Sequence, residues 1–113
     1  YTVAVERGNE KISKLYTKYH PAVIKLVKLA IDGAHSANIF CGMCGEAASD
    51  ELYVPLLVGL GLDEFSMNPN SILKTRKRIG ELDRKECEKL ANEILIMTSA
   101  EEVEKRLKEF ADK

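Results

Sequence analysis

Between Val23 and Ala34 the apolar residues fall at Val23, Leu26, Val27, Ala30, Ile31 and Ala34, with Lys25, Lys28 and Asp32 directed elsewhere. This i, i+3, i+4, i+7, i+8, i+11 spacing is that of one buried helix face. It predicts a helix running from Pro21 to about His35, with proline suited to a first turn whose N–H would have no intrahelical partner anyway. The pattern then changes. Asn38 to Cys44, NIFCGMC, is a short apolar run ending at glycine, which reads as a buried strand rather than an amphipathic one. Ser49 or Asp50 can cap a second helix that ends near Leu60, and its apolar run Leu52 to Leu60 predicts burial on more than one side; Pro55 leaves its start open. Leu62 to Met67 reads as a second strand, Asn68-Pro69-Asn70 as a loop, and Ser71 as the cap of a third helix. Asp83-Arg-Lys-Glu86 and Ser99-Ala-Glu-Glu102 resemble capping boxes. The helices they open carry Cys87, Leu90, Ala91 and Ile94, then Val103, Leu107, Phe110 and Ala111, at helical spacing.

Five helical and two strand-like segments result, with the strands separated by a helix. Such alternation implies parallel pairing through a crossover, hence an α/β fold. Two strands cannot make a parallel sheet covered on both faces. Either they pair with strands of another chain, or the sequence is a piece of a larger barrel or sheet.

Composition narrows the class. The 113 residues are 45% hydrophobic and 31% charged, the usage of one soluble globular domain. A formal net charge of -1 gives no global reason to expect nucleic acid or an anionic membrane as partner. The basic cluster Lys74, Arg76, Lys77 and Arg78 reads as a solvated helix face. Three cysteines, an odd number with no signal-peptide pattern, point to a reducing compartment and a cytoplasmic location. The longest apolar stretches, such as LYVPLLVGLGL, fall well short of the roughly 18 to 20 residues a membrane span needs.

The candidate chemistry starts at Cys41-Gly42-Met43-Cys44. A zinc site would need two more ligands, and Cys87, His20 and His35 stand at no recognisable spacing for it. A thioredoxin-like pair would need its first cysteine at a helix N-terminus, whereas the next predicted helix starts about five residues after Cys44. As part of a strand, Cys41 reads as a small buried hydrophobe. Cys44 ends the strand between Gly42 and Gly45, at the end where α/β sheets and barrels bind ligands; there it is either a functional thiol or one more buried cysteine. Arg7, beside Gly8 in VERGNE, can present its planar fork to a phosphate or carboxylate. Taken alone, it reads as a surface arginine paired with Glu6 or Glu10. His20 and His35 read as structural or solvated.

Three separated segments resemble one family: VERGNEKISKLY, FCGMCGEAASDE and LLVGLGLDEFSMNPNSI look like consecutive signatures of Enzyme I of the bacterial sugar phosphotransferase system, the phosphoenolpyruvate-protein phosphotransferases. The resemblance covers nearly the whole chain. It implies that residues 1–113 are the C-terminal fragment of a phosphoenolpyruvate-binding domain, a partial (β/α)8 TIM barrel holding its seventh and eighth strands. It further implies an enzyme that moves the phosphoryl group of phosphoenolpyruvate to its own histidine and on to a histidine phosphocarrier protein for sugar uptake, releasing pyruvate. By the same match, Arg7 would bind the substrate phosphate and Cys44 would be the proton donor. A thiol with a pKa near 8.5 remains mostly protonated at neutral pH yet can give its proton to an enolate carbon. The family usually has aspartate where Glu6 stands and a residue other than cysteine at Cys41, which favours packing for Cys41. Its magnesium is held by carboxylates of the fifth and sixth strand regions, expected before Tyr1, so no metal ligand is assigned here. Its phosphoryl-accepting histidine lies in a separate domain, and neither His20 nor His35 matches that motif. The fragment alone is therefore expected to be inert, and a homodimer is expected through the barrel. Pyruvate phosphate dikinase and phosphoenolpyruvate synthase share the CGE element and are the nearest alternative parents. A non-catalytic dimerisation module is the alternative outside catalysis.

Overall fold

The computed structural model describes residues 1–112. Helix α1, Pro21–Ser36, opens on His20, whose Nδ1 accepts the Ala22 N–H at 3.1 Å. It closes with Asn38 in the left-handed region at φ 56°. There Ile39 N–H donates to Ala34 C=O at 3.1 Å and Asn38 N–H to His35 C=O at 3.0 Å, the paired bonds of a Schellman stop. This reversal uses residues that the apolar run assigned to a strand. Strand β1 is Gly42–Cys44 only, and Ile39 and Phe40 before it are exposed.

A 3₁₀ turn, Glu46–Ser49, follows. Asp50 accepts the Leu52 N–H at 2.9 Å in the turn that follows, but helix α2 spans Val54–Leu60, later than a Ser49 or Asp50 cap would start it, with Tyr53 at its cap making no side-chain bond and Pro55 in its first turn. Gly61, at φ 94°, ends α2 with a second Schellman pair: Leu62 N–H to Leu57 C=O at 3.0 Å and Gly61 N–H to Val58 C=O at 3.1 Å. Strand β2, Glu64–Ser66, runs parallel to β1 in the register Gly42↔Glu64, Met43↔Phe65, Cys44↔Ser66. Helix α3, Pro69–Gly80, begins earlier than its expected Ser71 cap. Asn68 caps it by accepting the Asn70 N–H at 3.0 Å, and Pro69 fills the first turn, the arrangement also seen at His20-Pro21. Helices α4, Arg84–Leu95, and α5, Ala100–Ala111, complete the order. Ser99 and Glu102 form the full capping box, whereas at Asp83 only the cap half is made, to the Glu86 N–H at 2.9 Å.

Helix α2 is the centre of the core. Val54, Pro55, Leu56, Leu57 and Leu60 are all buried, as its unbroken apolar run predicts. It packs on α4 so closely that a Cβ added at Gly59 would lie 2.0 Å from the Cys87 carbonyl oxygen. Cys87, Leu90, Ala91 and Ile94 of α4 and Val103 and Leu107 of α5 are buried as the periodicity indicates.

Helix α1 departs from expectation. Its fully buried residues are Pro21, Ile24 and Ile31, whereas Leu26 and Ala30 of the predicted face are open. The stripe that packs is turned by about a quarter of the helix circumference from the predicted one, because α1 meets the core through its α4-facing side. The sheet is equally one-sided. Met43 and Phe65 lie against the core, and Gly42, Cys44, Glu64 and Ser66 are exposed on the other face. Parallel sheets are ordinarily covered on both faces.

Candidate active site

Cys44 is the last residue of β1, and the chain turns sharply after it. Gly45 has φ 102° and ψ -169°, a region open essentially to glycine alone. A Cβ there would meet nothing within 4 Å, so the backbone angles rather than crowding call for glycine. The turn leaves the Cys44 thiol exposed, at the carboxyl end of the strand.

Arg7 comes from near the start of the chain. It sits in a turn before a 3₁₀ segment, Glu10–Leu15, that Asn9 caps by accepting the Lys11 N–H at 3.1 Å. Its partner is neither Glu6 nor Glu10. Arg7 Nε–H donates to Tyr16 Oη at 2.9 Å, and the guanidinium carbon lies 5.8 Å from the centre of that ring. Arg7, Tyr16, Cys44, Gly45 and Glu46 line one cleft of about 860 Å³. A depression between α4 and α5 shares no residue with this cleft, and its Arg106 is already bonded to Glu93 at 2.8 Å.

The wall carrying Tyr16 is tied to the core. Tyr53, 1% exposed, donates its hydroxyl to Lys18 C=O at 3.0 Å. Lys18 Nζ meets Asp50 Oδ2 at 2.5 Å, and Tyr19 Oη donates to the same oxygen at 3.3 Å. The Tyr19 and Tyr53 rings stand edge to face, 6.0 Å apart. Burial, followed by the Asp50 charge, pushes the Tyr19 phenol up to about 12; burial likewise raises the Tyr53 phenol. Burial also works against the Asp50 carboxylate, but the bonds from Lys18, the Leu52 N–H and Tyr19 outweigh it and hold the group below its ordinary value.

A second carboxylate fixes the entry to β1. Asp63 Oδ2 accepts the Cys41 N–H at 2.8 Å and meets His35 Nε2 at 2.7 Å. These contacts, the Cys41 N–H first, lower the Asp63 pKa. They give His35 a structural partner and join the α1 C-terminus to the strand. Cys41 precedes β1 rather than lying within it; it is half-buried against the core, while Cys44 faces the open side. The two thiols are therefore not a chelating pair. Among the described residues no three His, Cys, Asp or Glu side chains are grouped to hold a metal ion. Glu46 is the sole carboxylate lining the cleft, so these residues do not by themselves fit a magnesium centre.

Tyr16 is the residue that sequence reasoning missed. Its contact with Arg7 spans nine positions across a turn, a separation that leaves no periodic trace.

The thiol at the carboxyl end of a parallel strand and an arginine lining the same cleft stand where α/β domains commonly bind ligands. The chain belongs to the family of PEP-utilising enzymes, in their PEP-binding domain, whose pattern matches residues 1–84. It is similar to the phosphoenolpyruvate-protein phosphotransferase of Listeria monocytogenes, 53% identical over 103 residues that make up 91% of this chain and 18% of that protein. The enzyme of the same name from Bacillus subtilis is 48% identical over 109 residues, 96% of this chain and 19% of the relative; that of Staphylococcus aureus is 48% identical over 103 residues, 91% of this chain and 18% of the relative. The chain thus spans about a fifth of the length of the curated relatives it matches. No helix among the described residues is long and apolar enough to cross a membrane.

Proposed function

We propose that this chain supplies the last two strands of a (β/α)8 barrel, and with them part of the active site, to an Enzyme I-type phosphoenolpyruvate-protein phosphotransferase. What supports the reading is that Arg7 and Cys44, 37 positions apart in the chain, line a single cleft. The uncovered face of the sheet, with Cys44 on it, suits a barrel interior completed by other strands.

In this reading Arg7 holds the substrate phosphate and stabilises charge as the phosphoryl group moves. The P–O bond to phosphoenolpyruvate breaks and a P–N bond to an enzyme histidine forms. The enolate left behind takes the Cys44 proton at C3 and becomes pyruvate. The resulting thiolate recovers its proton from solvent. Magnesium, where used, takes its carboxylates from outside these 113 residues. No step here is routed through it. The partners are phosphoenolpyruvate, a histidine phosphocarrier protein and a second copy of the enzyme, in a cytoplasmic setting that keeps Cys44 reduced. The 113 residues alone are expected to be inert, since neither His20 nor His35 matches the family's phosphoryl-accepting motif.

The test is Arg7→Ala in the full-length phosphotransferase, with phosphoenolpyruvate as variable substrate. Loss of a phosphate-binding guanidinium is expected to lower kcat/KM by about 10²-fold. Wild-type KM and rate would remove Arg7 from the site.

A further inference from the structure

A guanidinium carries five N–H donors in a rigid plane. In Arg7 one is engaged by the Tyr16 hydroxyl, and the guanidinium carbon lies 5.8 Å from the centre of the Tyr16 ring. The other four, on the two terminal nitrogens, form the fork that matches phosphate oxygens. No carboxylate among the described residues pairs with Arg7.

Tyr16 is itself held on both sides. Its N–H donates to Ser13 C=O at 3.0 Å. Two residues on, Lys18 is fastened by the buried Tyr53 hydroxyl and by Asp50. The core is therefore linked through Tyr53 to Lys18, along the backbone to Tyr16 and from its hydroxyl to the guanidinium, and Tyr16 and Arg7 both line the cleft.

We infer that Tyr16 is a positioning residue for phosphate binding: its hydroxyl fixes the Nε edge of Arg7, so that both terminal nitrogens meet the substrate phosphate together. The inference rests on the phosphate-binding reading of Arg7. A long, exposed side chain loses rotamer freedom when it clamps a ligand, and orienting it beforehand removes part of that cost from binding. Because substrate and transition state both carry the phosphate, losing the support raises KM more than it lowers kcat.

The experiment measures KM and kcat for phosphoenolpyruvate, with thermal unfolding midpoints, in the full-length phosphotransferase and its Tyr16→Phe, Arg7→Lys and double variants. Tyr16→Phe keeps the ring and removes the hydroxyl. It is expected to raise KM about threefold to tenfold, the loss of one hydrogen bond of ordinary net strength at an exposed site, with little change in kcat or in the midpoint. Lysine has no Nε–H edge, so in the Arg7→Lys background Tyr16→Phe should add nothing. A wild-type KM in Tyr16→Phe overturns the positioning role, as does an equal KM increase in both backgrounds. In either case the Arg7 reading survives provided Arg7→Lys alone raises KM. A wild-type KM in Arg7→Lys overturns both.

Discussion

Asp50 gathers three donors around one carboxylate: Lys18 Nζ, the Leu52 N–H and the Tyr19 hydroxyl. It thereby ties the wall of the cleft to the start of α2. Its folded pKa lies below its ordinary value near 3.9. The stabilisation is therefore fully present above about pH 4 and is lost as pH falls through the lower folded value. Asp50→Asn keeps the shape and removes the charge, and is expected to cost about 1–2 kcal/mol at neutral pH. Urea unfolding as a function of pH checks this: the two proteins should differ at pH 7 and converge in acid, and a gap that persists at low pH would place the effect elsewhere. That Cys44 and Arg7 are candidates was legible because glycines flank one and adjoin the other and because both lie in family signatures; that they line one cleft is what the structure adds. Cys41 was legible as packing, though not its place before the strand. The Arg7–Tyr16 bond was not legible, since pairing across a turn depends on loop geometry rather than on spacing.

Helices α2 and α4 meet at Gly59, and the atom a side chain would strike is a backbone carbonyl, which cannot rotate away. Gly59→Ala is expected to force the helices apart and to destabilise the protein by about 1–3 kcal/mol. Chemical unfolding measures it directly; wild-type stability would mean that α2 and α4 pack less closely than described. The type and order of the five α-helices and two strands were legible, because helical spacing and a buried run each follow from which residues leave water; the short 3₁₀ segments Glu10–Leu15 and Glu46–Ser49, with no buried stripe of their own, were not. Boundaries were legible only where a cap dictates them. Ser99 and Asp83 cap helices as expected, whereas Asn68-Pro69 begins α3 before Ser71. The left-handed Asn38 shortens β1 because a Schellman stop takes residues whose hydrophobicity suggested a strand.

Across the molecule, apolar surface remains uncovered on the outer side of α1, at Leu26 and Leu29, and ahead of β1, at Ile39 and Phe40. Periodicity could not say which side of α1 packs because apolar positions surround much of that helix, and only the side carrying Ile24 and Ile31 is buried. The shortage of strands was legible from the sequence, and a chain spanning about a fifth of its relatives' length accords with it. In the proposed reading the fold contributes a corner of a site: an arginine held by a tyrosine and a thiol at a strand end, lining one cleft. The most direct measurement is a single turnover of phosphoenolpyruvate by the full-length phosphotransferase and its Cys44→Ala variant, following pyruvate formation and substrate binding separately. Pyruvate formation is expected to fall by about 10²- to 10⁴-fold, the contribution of a positioned general acid, with phosphoenolpyruvate still bound. Pyruvate released at the wild-type rate would contradict the assignment of Cys44 as the acid that completes the reaction.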